Sequence, residues 1–233
     1  MKIRCIVCGM LWVLLVHYFT AQAGEIVDPA PPALAPLKEM APPDAVANPD
    51  VKVHGKPKAL PAGAVTHDWL SFIGPTHNAV STETKLLKKW PETGPTLLWE
   101  FQRGTGYSSP AILGERLFYL HRVGAEEIVE CLRTYDGARY WRFAYPTAYA
   151  DRYGYNNGPR CSPVIDGERV YTFGAEGKLH CLKLTTGQVL WKRDLVTEFK
   201  VKQNFFGVGS TPLIEGELLI VNVGAPAGPG VAA

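Results

Sequence analysis

The 233-residue sequence is poor in the features that announce most chemistries. Charge of one sign is lacking: 24 Lys and Arg stand against 22 Asp and Glu. A net charge of +2 carries no electrostatic footprint for a nucleic-acid partner. The densest basic group, Lys85 with Lys88 and Lys89, reads as a solvated face. Cysteine is scarce. Cys5 and Cys8 lie at the extreme N-terminus, and only Cys131, Cys161 and Cys181 follow. Those three include no Cys-x-x-Cys pair, and an odd number argues against a disulfide framework. The six histidines include no His-x-His or His-x-x-x-His spacing, so a zinc site has no support. His121 and His180 fall in expected strands and read as strand-face residues. Neither a G-x-S-x-G elbow nor a G-x-x-x-x-G-K-[ST] loop occurs. Sustained apolar periodicity at 3.6 residues is absent as well, which excludes a helical repeat.

What is present begins at the N-terminus. Lys2 and Arg4 precede an apolar run from Cys5 to Phe19, and Ala21-Gln22-Ala23 is a small-x-small cleavage pattern. Residues 1–23 therefore read as a secretory signal peptide, cleaved after Ala23. The run is short for a membrane span, which needs about 20 residues. An uncleaved signal anchor is the alternative, and the only contact with a membrane expected. Cys5 and Cys8 precede the apolar run, so a lipid anchor is not expected. Export places the protein in the periplasm or outside the cell. Residues 24–65, with "DPAPPALAPLKEMAPPDAVANPD", are rich in Pro and Ala and read as an extended, disordered tether.

Residues 66–233 repeat. Copies start at Ser109, Ser162 and Thr211, 53 and 49 residues apart. Pro110, Pro163 and Pro212 align, as do Gly114, Gly167 and Gly216, and Glu115, Glu168 and Glu217. Each complete copy reads as four short strands. The first covers Ala111–Leu113, Val164–Ile165 or Leu213–Ile214, and a Gly-Glu turn leads to the second. The third covers Ile128–Leu132 or Leu179–Leu184, and the fourth is expected to end at Trp141 or Trp191. Four strands joined by tight turns at a period near 50 describe a β-propeller blade, so the fold class is all-β. Trp99 closes an earlier, partial unit, whose strand near Leu97–Phe101 has no evident partner.

The repeats resemble the pyrroloquinoline quinone (PQQ)-like family, whose signature is A-x-D-x-x-T-G-x-x-x-W. The stretch from Cys181 to Trp191 fits it at Thr186, Gly187 and Trp191. The preceding copy fits at Gly137 and Trp141, with Asp136 in the Thr place. Cys131 and Cys181 stand where the family has alanine, and are expected to be buried and unpaired; Arg133 and Lys183 stand where it has aspartate. The segment at Asp68, Trp69, Phe72, Gly74 and Pro75 is similar to the start of secreted bacterial propellers of this kind. The resemblance implies seven or eight blades. Two full copies and a third that stops in "GAPAGPGVAA" imply an incomplete propeller and a fragment of a longer chain.

For function, the resemblance implies an exported, non-catalytic binding or scaffold module with a protein or glycan at the propeller face. No cofactor is expected. The alternatives are the N-terminal part of a PQQ-dependent dehydrogenase, which would need the quinone and calcium, and a carbohydrate- or peptide-binding surface propeller. No Cys-Cys pair of the dehydrogenase kind occurs. Asp151, Asn156 and Asn157 offer oxygen ligands that suit calcium, but such loops are ordinary turns. Loops between one blade's last strand and the next blade's first open at the channel mouth, where side chains from several blades converge. Those loops hold Arg103 and Tyr107, then Asn156, Asn157 and Arg160, then Asn204 and Phe205. Trp99, Trp141, Trp191, Gly137 and Gly187, with the two cysteines, are assigned to structure.

Overall fold

A computed structural model describes residues 26–27, 41–201, 206–225 and 228–233. The signal-peptide reading of residues 1–23, most of the tether before residue 41, and Asn204 and Phe205 lie outside the described residues.

Strands β1 (Ile26–Val27), β2 (Val51–Val53) and β3 (Trp99–Phe101) precede the repeats. The first copy folds as β4 (Ala111–Leu113), β5 (Arg116–Val123), β6 (Glu126–Arg133) and β7 (Arg139–Pro146). The second folds as β8 (Val164–Asp166), β9 (Arg169–Phe173), β10 (Lys178–Lys183) and β11 (Val189–Asp194). One helical turn, α1 (Leu195–Glu198), follows, capped by the Asp194 side chain on the Thr197 amide. The third copy contributes β12 (Leu213–Glu215), β13 (Leu218–Asn222) and β14 (Val231–Ala232). Each copy is one antiparallel meander, and the third sheet gains β1 as a fourth strand, parallel to β14. The chain is thus a β-propeller fan of four-stranded blades. No pairing closes the sheets into a ring among the described residues.

The hydrophobic core lies between the sheets, because each short-stranded sheet is covered only by its neighbour. Phe118, Leu120, Val129 and Trp141 of the first blade pack with Ile165, Val170 and Leu182 of the second. Phe173 and Leu179 of the second pack with Val221, Val223 and Ala232 of the third. The aligned Gly114, Gly167 and Gly216 have φ of 54, 51 and 56°, a left-handed turn that glycine enters without steric cost.

Three expectations are corrected. Trp141 and Trp191 are each the third residue of the fourth strand rather than its end. They face Cys131 and Cys181 across the sheet, at a register shift that recurs at the same place in both blades. A bulge there explains why the strand runs on past the tryptophan. The Trp99 strand is not unpaired, since β2 pairs antiparallel with it from Val51↔Phe101 to Val53↔Trp99. The tether is not disordered throughout: Val46 exchanges two backbone hydrogen bonds with Arg139, and the His54 amide donates to Leu98 O at 2.8 Å. The third copy also carries a third strand, because Val231–Ala232 pairs with Val221–Asn222.

Candidate functional site

The repeat signature is a docking device between blades. The Trp141 indole Nε1 donates to Leu184 O of the next blade at 3.0 Å, and Trp99 Nε1 donates to Thr134 O at 2.9 Å. The following glycine receives the ring. A Cβ on Gly187 would lie 2.6 Å from Trp141 Cε3, and one on Gly137 would lie 3.0 Å from Trp99 Cε3. Only hydrogen fits at either place. A second device links blade starts. The Ser109 amide donates to Ser162 Oγ at 2.9 Å, and the Ser162 amide to Thr211 Oγ1 at 3.2 Å. These spacings of 53 and 49 residues are the repeat itself.

Inside the fan runs the opening segment. Trp69 pairs with Ile112 of β4, and Leu70 O accepts from the Ile165 amide of β8 at 2.9 Å. Its Asp68, Trp69 and Gly74 act structurally: Asp68 Oδ1 accepts from the Gly114 amide at 2.7 Å, and Gly74 lies against the Trp69 ring. The segment turns back at Ser71–Gly74, leaving a groove of about 640 Å³ against β8 and β12.

Two of the loops expected at a channel mouth come together. The Tyr107 amide donates to Pro159 O at 2.8 Å, and the Arg160 guanidinium lies 5.6 Å from the Tyr107 ring and 4.8 Å from that of Tyr149. Yet most polar candidates are used internally. Arg160 pairs with Asp151 Oδ2 at 2.7 Å and donates to Gly158 O and Asn156 O, with its side chain 9% exposed. Asn156 Oδ1 accepts from the Gly158 amide and Asn157 Oδ1 from the Asp151 amide, both at 2.8 Å. Arg103 reaches Gly104 O and Gly106 O at 3.2 and 3.3 Å. These are turn-building bonds of the Asn and Asp type. Asp151 does not fit a calcium site. One carboxylate oxygen is taken by Arg160, the other by the Tyr153 amide at 2.8 Å, and a cation there would sit beside a guanidinium. No group of three acidic, histidine or cysteine side chains able to hold a metal occurs among the described residues.

Several residues of this mouth escaped the sequence reading. Arg122 Nη1 donates to Tyr149 O at 2.5 Å and Asn157 O at 2.9 Å, tying the blade-one hairpin to the loop. It is the last residue but one of β5, and nothing local marks it as a loop clamp. Outward the loops leave three tyrosines, Tyr107, Tyr153 and Tyr155, at 59%, 56% and 72% exposure, together with the exposed Arg103 and Arg152.

Beneath the mouth, Glu127 is fully buried between the first two blades. Its Oε2 accepts from Tyr145 OH at 2.6 Å and its Oε1 from the Ala175 amide at 3.0 Å. Burial raises its pKa, against the opposing effect of the two donors. His180 lies 4.2 Å from the Tyr145 ring, and burial, helped by Lys192 and Lys178, lowers its pKa to about 4. Cys131, Cys161 and Cys181 are buried and free, as expected for the first and last, and burial pushes the Cys181 thiol up to about 12.

The family model described as "Outer membrane protein assembly factor BamB" matches residues 125–228. No curated protein matches the chain. BamB from Moraxella catarrhalis is similar at 22% identity over 48% of this chain, with a TM-score of 0.34. Quinohemoprotein alcohol dehydrogenases from Comamonas testosteroni and Pseudomonas putida HK5 are each 18% identical, over 51% and 52% of this chain, with TM-scores of 0.37 and 0.38. The matched parts span 29%, 17% and 17% of those chains. The propeller assignment stands on the four-stranded sheets and their repeats.

Proposed function

From the premise that the chain is built of PQQ-like propeller repeats, we propose that it is an exported, non-catalytic binding or scaffold module whose channel-mouth face holds a protein partner. One observation carries the reading. The loop from Asp151 to Arg160 is braced by a buried ion pair and displays Tyr153 and Tyr155 outward, beside the exposed Arg152. Rigid, exposed tyrosines beside an arginine are favoured anchors of protein interfaces, because they bring large area at little entropic cost. The match to a family described as an outer-membrane assembly factor supports a scaffold of that kind. Residues 1–23, as a signal peptide, would deliver it to the periplasm or beyond.

The test is site-specific photo-cross-linking of the full chain in its own host. A photoreactive residue at Tyr155 captures a discrete protein partner. One at Glu168, exposed on the turn at the far end of β8, does not. Equal capture from both positions, or none from Tyr155, removes the reading. Saturable uptake of PQQ in the presence of calcium would replace it with a dehydrogenase reading.

A further inference from the structure

The first strands of the three blades are not equally covered. Ile112, Ile165 and Ile214 hold the same place, opposite Leu117, Val170 and Leu219. In blade one, the Ile112 amide and carbonyl turn away from the sheet and bond Trp69, at 2.8 and 2.9 Å. In blade two, the Ile165 amide bonds Leu70 O. An identical register turns the Ile214 amide and carbonyl the same way in blade three. Among the described residues, none takes the corresponding position on Ile214. The neighbouring side chains tell the same story. Ala111 and Val164 are 0% and 4% exposed, whereas the equivalent Leu213 is 42% exposed.

The opening segment has bent away by this point, and the groove of about 640 Å³ occupies the place it would have taken. Its walls include Phe72, Ile73, Pro75, Ile165, Leu213 and Ile214. Arg160 lies at its edge with its charge already matched by Asp151, and Asp166 adds one exposed carboxylate at the rim of an otherwise mainly apolar groove. A mainly apolar trough beside a strand edge that no described residue pairs is matched by one chemistry, an extended peptide with apolar side chains whose main chain supplies both a donor and an acceptor. The molecule already contains that arrangement twice, in its own Trp69 and Leu70.

We propose that this groove receives an extended apolar segment of a partner protein, which adds as a strand to the inward edge of β12 at Ile214 and continues the strip that Trp69 and Leu70 form on β4 and β8. The proposal shares with the loop-face reading only that the partner is a protein, and either can fail alone.

The probe is a fluorescently labelled peptide with the sequence of residues 67–75, HDWLSFIGP, added to the folded chain. Saturable binding is expected, with slower amide exchange at Ile214. Leu213→Lys, a change at an exposed position, weakens binding at least about tenfold. N-methylation of the peptide's tryptophan amide weakens it to a similar degree, because it removes the main-chain donor. The proposal is overturned by no binding at about 1 mM peptide, the limit of weak recognition. It is equally overturned if binding ignores the N-methyl group. Exchange at Ile214 in the unaltered protein keeps the test valid should Leu213→Lys fail to fold. Protection of Ile214 without peptide, accompanied by dimer formation, would replace a partner segment with a second copy of this chain.

Discussion

Replacing Gly187 with alanine tests why the repeat signature pairs a glycine with a tryptophan some 46 residues earlier. The new methyl group would sit 2.6 Å from Trp141 Cε3 and 2.7 Å from Cδ2, well inside contact distance. The ring cannot retreat freely, because its Nε1 is held to Leu184 O at 3.0 Å and its face packs between two blades. Two costs add. Gly187 has φ of 70°, and alanine in that left-handed region costs roughly 1–2 kcal/mol. Overpacking a fitted contact costs roughly 1–3 kcal/mol more. Gly167→Ala is the internal control. Its φ is 51°, so the backbone cost is similar, but nothing lies within 4 Å of the added methyl. The expected gap between the two variants is therefore about 1–3 kcal/mol, the packing cost alone. Urea denaturation of both, followed by far-ultraviolet circular dichroism, measures it, with the slope checked for constancy. Equal losses from both variants would refute the docking account and reduce the signature glycine to a turn requirement.

Three further outcomes are expected. Arg160→Ala strands the fully buried Asp151 carboxylate, at a cost of about 3–5 kcal/mol; chymotrypsin should then cut after Tyr153 or Tyr155 faster than in the parent, and unchanged proteolysis would count against the bracing role. His180 has a depressed pKa, so its stabilising contribution is complete above pH 6.5 and is lost as the pH falls toward about 4. His180→Phe, which keeps a ring against Tyr145, should narrow the gap in stability between pH 7 and pH 4 by up to about 3 kcal/mol, read from thermal midpoints. Glu127, with a raised pKa, acts in the opposite sense, favouring the fold below about 4.5 and less as pH rises, so Glu127→Gln should flatten the curve from the other side. Finally, Cys131, Cys161 and Cys181 should react with a disulfide reagent only after denaturation, because burial keeps all three thiols protonated; a fast-reacting thiol in the folded protein would contradict their placement.

The sequence by itself determined the blade. Turn glycines, short alternating strands and a recurring tryptophan are local and periodic signals, and the four-strand unit follows from them without knowledge of distant contacts. The places of Cys131 and Cys181 were legible for the same reason, since a small residue recurring with a tryptophan marks a packing site. Only the tertiary structure decided what each signal packs against. Trp141 packs in its own blade and also docks the next one, and Gly187 is small for a ring 46 residues away. Val46 and Val51–Val53 look like spacer because backbone pairing leaves no mark on so Pro-rich a stretch. Topology brings Tyr107 against the loop of Asn156, Asn157 and Arg160, but the chemistry of these residues was not readable. A guanidinium written in a loop could as well face a ligand as a carboxylate, and the buried Asp151 beside Arg160 settles which. The uncovered edge at Ile214 is the extreme case. Its sequence matches its two siblings, and among the described residues the path of a segment some 140 residues earlier leaves it uncovered.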